Sequence, residues 1–251
     1  TIESAKILGK MTQALKDYEG LEEDGIIEKW FSKESLENKI IQMEDFKKSI
    51  KKDNKYKEEI FDVFGCILRN SKRIQARKLF DYNIVLIGFM GAGKSTVSTY
   101  LSKILASPQV EMDEEIVKKE GMSINKIFEE YGETYFRNCE TNLLIELQKK
   151  NNQIISCGGG VALRDENVAE MKKNGKVVLL TASPEVILER VKDNDDRPLL
   201  RGNKNTEFIS NMMEQRRPKY EAAADVVVNT DYKTVEEIAE EIVVKLTRDA
   251  D

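Results

Sequence analysis

Short runs of apolar residues recur along the later part of the chain, and the stretches between them carry helical spacing. Ile84-Val85-Leu86-Ile87 reads as a short buried strand, and the pattern from Lys94 to Leu105 as a helix. Ile154-Ile155-Ser156, Val177-Val178-Leu179-Leu180 and Val226-Val227-Val228 read as three more strands, with helical stretches between them. Thr234 to Thr247 closes the chain as an amphipathic helix. Strands that alternate with helices predict βαβ units, hence a parallel sheet covered on both faces. Ligands of such sheets bind at the carboxyl ends of the strands.

The first 80 residues follow a different pattern. Ile60, Phe61, Phe64, Ile67, Leu68 and Ile74 fall on one stripe of a helix spanning about 54–80, and earlier helices are predicted near 2–18 and 33–50. Such helices must pack on each other, on the second region or on a partner, so a homodimer through them is one expectation. All four prolines (108, 184, 198 and 218) lie in the later part, as do ten of the 14 glycines. The charge balance shifts as well, from 17 basic and 15 acidic residues before position 81 to 23 against 30 after it. The boundary falls near Phe80–Asn83, giving an all-α region 1–80 and an α/β domain 81–251.

Composition narrows the chemistry. A net charge of −5 argues against general nucleic-acid binding. With no histidine, the chain has no Ser-His-Asp or Cys-His nucleophile system and no His-ligated metal. Cys66, Cys139 and Cys157 are few, odd in number and not spaced as a ligand cluster, which suits a reducing cytosol. No apolar run approaches the roughly 18 residues that span a bilayer, so no membrane partner is expected.

The strongest chemical signal follows the first strand. Gly88-Phe-Met-Gly91-Ala92-Gly93-Lys94-Ser95 fits G-x-x-x-x-G-K-[ST], and Thr96 comes next. Glycines let successive N–H groups curl inward around phosphate oxygens, and the following helix adds its positive end. Lys94 can reach the β- and γ-phosphates of ATP, and the Ser95 hydroxyl can ligate Mg²⁺. No N/T-K-x-D motif for reading guanine is present, which disfavours a GTPase.

Four further features come in order: Glu111-Met-Asp113; Gly132-Glu-Thr-Tyr-Phe-Arg137-Asn-Cys-Glu140; a strand ending in Gly158-Gly159-Gly160; and Arg197-Pro198 followed by Arg216-Arg-Pro218-Lys-Tyr220. Read from the residues alone, Arg137 and Arg216 are candidates for a substrate carboxylate, since a guanidinium fork matches two carboxylate oxygens. Arg217 competes with Arg216 for that role. Glu140, one turn after Arg137, can orient it. The three glycines leave N–H groups open to a small ligand. Asp113 can accept a hydrogen bond from an attacking hydroxyl and take its proton.

In this ordered set, residues about 82–250 resemble shikimate kinase. The resemblance implies a P-loop, nucleoside-monophosphate-kinase-like three-layer fold with a five-stranded parallel sheet. It implies transfer of the γ-phosphoryl of MgATP to the 3-hydroxyl of shikimate. It places Gly158, Gly159, Gly160, Arg137 and Arg216 at shikimate, Arg190 against adenine, and Arg197 on a lid over ATP. The chain departs from the family's Asp-x-Asp by having Glu111, and it lacks a later arginine near adenine, where Tyr232 and Lys233 stand. A kinase for another hydroxylated carboxylate remains open.

Residues Tyr56 to Gln75 are similar to the last helix of all-helical chorismate mutases. That site needs several cations around a dicarboxylate, yet residues 1–68 contain no arginine. A degenerate mutase-like or plain helical region is therefore favoured over a second activity.

Overall fold

The computed structural model describes residues 80–191 and 205–248, with Arg73, Ala76 and Leu79 ahead of them. The helices expected in 1–80, their dimer role and the mutase-like segment lie outside the described residues, apart from those three. Arg197 and Cys66 lie outside them too.

Five strands form one sheet: β1 (Asn83–Gly88), β2 (Gln109–Glu111), β3 (Ile154–Ser156), β4 (Gly175–Thr181) and β5 (Val226–Asn229). All pairings are parallel, and the order is β2-β3-β1-β4-β5. The helices are α1 (Lys94–Leu105), α2 (Met112–Glu120), α3 (Ile124–Leu147), α4 (Asp165–Lys173), α5 (Pro184–Val191), α6 (Thr206–Ala223) and α7 (Val235–Arg248). A short 3-10 turn, Val161–Leu163, follows β3.

The central strand β1 is buried along its whole length, which is why it reads as an unbroken apolar run rather than an alternation. Helix α1 packs on β1 and β3 and against α7, while α4 and α6 pack on β4 and against the 3-10 turn. Leu86, Ile87, Leu101, Leu144, Ile155 and Leu180 are buried in the resulting core. Asn83 starts β1 with no exposure. Its side chain accepts from Gln153 N at 3.0 Å and donates to Lys150 O at 2.8 Å. Both ends of this buried amide are bonded, so it fixes the start of β3 against β1.

The strand missed by the apolar pattern is β2. It is three residues long, half-buried, and pairs only with β3 at the sheet edge, so burial writes little hydrophobicity into it. Helix α3 bends at Gly132, whose φ of 78° and ψ of 171° break the helical path. No atom stands within 4 Å of a Cβ placed there, so the glycine serves the backbone angle and not a close approach. Among the described residues no helix is long and apolar enough to cross a membrane.

Candidate active site

The chain leaves β1 through the glycine-rich loop and enters α1 at Gly93, the N-cap, at φ 94°. Lys94 curls back over this loop, and its Nζ donates to Gly88 O at 2.9 Å and Phe89 O at 3.0 Å. The ammonium is thereby held over the loop at the positive end of α1, where a polyphosphate gains from both.

The short edge strand β2 delivers Glu111 beside Ser95. Ser95 Oγ donates to Glu111 Oε2 at 3.0 Å, and Ser98 Oγ donates to Oε1 at 2.6 Å. Gln109 Nε2 donates to the same Oε1 at 2.9 Å. The extra methylene of Glu over Asp is thus taken up by reaching the Ser95 hydroxyl. Among the described residues no cluster of three or more Asp, Glu or Cys side chains could hold a metal ion. Mg²⁺ does not need one, since it keeps waters and nucleotide oxygens and takes one or two protein ligands. Ser95 with Glu111 behind it fits that all-oxygen donor set.

Asp113 lies two residues beyond β2, in the first turn of α2. It faces the glycine loop after β3. A Cβ at Gly158 would stand 2.8 Å from Asp113 Oδ1 and 2.7 Å from Glu140 Oε1. A Cβ at Gly160 would overlap the Arg137 guanidinium. Both glycines are therefore needed for close approach, and no N–H of Gly158, Gly159 or Gly160 donates to the backbone of another described residue.

Arg137 and Glu140 share one face of α3. Arg137 Nη1 donates to Glu140 Oε2 at 2.8 Å and Nη2 to Glu133 Oε1 at 2.8 Å. Burial pulls the Arg137 pKa down, but Glu140 and Glu133 more than reverse this and leave it raised. Glu140 is 1% exposed, and its Oε1 has no partner. Burial pushes Glu140 up to about 7, against the pull of Arg137. The Cys157 thiol is raised by burial, so it sits beside the site as a small neutral hydrophobe and not as a nucleophile.

Arg216, on α6, lies with its guanidinium carbon 5.6 Å from the centre of the Phe89 ring, within the phosphate loop. Its Nη1 is buried with no hydrogen-bond partner. A buried cationic donor left this way is costly unless an anion meets it, which is what a carboxylate-binding arginine requires.

A cavity of about 440 Å³ joins the two halves. Gly91, Ala92, Gly93, Lys94, Ser95 and Thr96 line one side, and Asp113, Gly158 and Gly159 the other. Arg137, Gly160 and Arg216 do not line the cavity: Arg137 lies against Gly160, and Arg216 over Phe89. Arg190 reaches the cavity from α5. Its Nη1 donates to Gly91 O at 3.2 Å and Thr230 Oγ1 at 3.0 Å, and its Nη2 to Thr230 O at 3.0 Å. With the guanidinium edge so used, its flat face is what remains for a base. Thr230, Lys233, Val235 and Ile238 complete that end. Sequence reasoning passed over Thr230, Val235 and Ile238, because only the return of β5 to the phosphate loop gives them a role.

The shikimate kinase family model matches residues 90–247. The chain belongs to the shikimate kinase family. Shikimate kinase of Thermodesulfovibrio yellowstonii is 43% identical over 166 residues, covering 66% of this chain and 95% of the relative. That of Aquifex aeolicus is 44% identical over 167 residues, covering 66% and 97%. Among solved structures, shikimate kinase from Acinetobacter baumannii in complex with shikimate aligns with a TM-score of 0.64 and 32% identity, over 67% of this chain and 94% of that one. The Aquifex aeolicus enzyme aligns at 0.60 and 43%, over 67% and 98%. These matches cover the P-loop α/β part of the chain, and the five-stranded parallel sheet agrees with the family's fold.

Proposed function

We propose that this chain transfers the γ-phosphoryl of ATP to the 3-hydroxyl of shikimate, giving shikimate 3-phosphate. The observation that carries the reading is one cavity with a phosphate loop on one wall, and Asp113 and the glycine loop on the other, with the half-buried Arg137 against that glycine loop. A phosphoryl donor and a small hydroxylated carboxylate would meet across that gap.

Lys94 and the N–H groups of residues 91–96 would hold the phosphates and offset the charge that spreads over the γ-oxygens. Ser95 would hold Mg²⁺, with Glu111 orienting its hydroxyl, and the ion would supply neutralisation of phosphate charge. Asp113 would accept the hydrogen bond of the attacking hydroxyl, aim its oxygen and take its proton. Arg137, Arg216 and the glycine N–H groups would hold the ring carboxylate, which fixes the hydroxyl in line. By family resemblance Arg197 would cover the nucleotide and Arg190 would meet the base. The free thiols Cys139 and Cys157 suit a cytosolic setting.

The test is ADP release by the full chain with MgATP and shikimate, with other hydroxylated carboxylates, and with no acceptor. ADP release that needs shikimate and stops on chelation of the metal supports the reading. Faster turnover of another hydroxy acid would replace shikimate as the substrate.

A further inference from the structure

Tyr220 is buried at 5% exposure on α6, one helical turn after Arg216, and no step above uses its hydroxyl. That hydroxyl donates to Gly159 O at 2.6 Å. A phenol has one proton, so this bond fixes the direction in which the group donates. The Arg216 guanidinium lies close enough to the oxygen to act on it: burial raises the Tyr220 pKa, and Arg216 opposes that rise.

The contact has a consequence for the glycine loop. A trans peptide is planar, and its C=O and the following N–H point in opposite directions. Holding the Gly159 carbonyl toward α6 therefore turns the Gly160 N–H away from α6. Gly160 is the residue whose Cα faces Arg137. Glycines alone cannot hold such a peptide, because they are the residues most free to rotate it. The loop's own bonds, Val161 N to Gly158 O at 3.1 Å and Leu163 N to Gly160 O at 3.1 Å, leave the Gly159 carbonyl to Tyr220.

We propose that Tyr220 is a positioning residue of the acceptor site: its hydroxyl sets the Gly159–Gly160 peptide plane and ties it to the helix that carries Arg216. It acts through these groups and does not touch the substrate. The glycine loop that faces Arg137 is thereby held in one arrangement against the helix that carries Arg216. The inference rests on the reading of the acceptor given above.

The test is Tyr220→Phe in the full chain, which keeps the ring and removes the donor. The shikimate KM should rise about tenfold, the scale of one misplaced hydrogen bond to a charged group, while kcat and the KM for ATP stay within about twofold. A donor restored at the same place, as 4-aminophenylalanine at position 220, should bring the shikimate KM back to within about threefold of native. An unchanged shikimate KM in Tyr220→Phe overturns the proposal. So does an equal rise in both KM values, which would make the hydroxyl a general structural tie. If Tyr220→Phe does not fold, the 4-amino variant decides alone: a KM near native supports the proposal, and a tenfold rise despite the donor overturns it. Absence of shikimate-dependent ADP release by the native chain would instead remove the parent reading.

Discussion

At the scale of single residues, the site separates binding from chemistry, and substitutions should show the separation. Arg137 is held by Glu133 and Glu140 in a geometry that presents it to the glycine loop. Arg137→Ala should raise the shikimate KM about a hundredfold and leave ATP binding near native, since a guanidinium–carboxylate pair carries specificity as well as energy. Titration of each ligand separately checks this, and an equal loss of both would argue against the role. Asp113→Asn keeps the shape and removes the base, so kcat should fall about 10²- to 10⁴-fold with modest change in either KM. Glu140 adds a pH signature. Its folded-state pKa of about 7 lies above the ordinary 4.5, so the native state holds the proton longer than the unfolded chain does. Its contribution to stability is therefore complete below about pH 4.5 and is lost as pH rises through about 7. Glu140→Gln stays neutral throughout. Urea titrations at about pH 5 and about pH 8 should show the variant gaining on the native protein by on the order of 2–3 kcal/mol at the higher pH. A difference that does not change with pH would show that Glu140 is ionised in both states.

At the scale of elements, what could be read from the sequence depended on how each element is buried. The four strands that read as apolar runs, β1, β3, β4 and β5, came out close to their expected bounds. The expected helix from Lys94 to Leu105 is the observed α1. β2 was not legible from the apolar pattern, although it carries Glu111 and leads straight to Asp113, because an edge strand of Gln-Val-Glu has no hydrophobic period to detect. The site followed the same division. The phosphate loop is local in sequence and was visible as a motif. The Arg190 bonds to Gly91 and Thr230 join three elements far apart in the chain, and spacing alone cannot reveal them. They make α5 and the β5–α7 turn a brace for the phosphate loop. Arg190→Ala should release that brace and raise the KM for ATP about tenfold, with the shikimate KM within about twofold, as expected for loss of charged hydrogen bonds on one wall only. Steady-state kinetics with each substrate varied in turn checks this; a larger effect on shikimate would assign Arg190 to the other wall.

At the scale of the whole molecule, the absence of histidine and the acidic balance take on a narrower meaning. Phosphoryl transfer depends on positioning and cations more than on an imidazole, so a chain with no histidine meets its needs. Against the net charge of −5, the described cations Lys94, Arg190 and Lys233 line one cleft, with Arg137 against its glycine loop and Arg216 over Phe89 of its phosphate loop. Every described group assigned a role lies between Gly88 and Ile238, within the compact unit Lys72–Asp251. The relatives, nearly whole, match about two thirds of this chain, and the family model matches residues 90–247. Phosphoryl transfer should therefore need nothing from the first region. A chain trimmed to residues 72–251 should release ADP with shikimate at a kcat within about threefold of the full chain, because every described group assigned a role is kept. If it folds, by circular dichroism and a cooperative thermal transition, yet loses turnover by tenfold or more, residues 1–71 must act on the site. In that event the full chain should also be given chorismate and assayed for prephenate. Native turnover in the trimmed chain would leave residues 1–71 outside the phosphoryl-transfer chemistry.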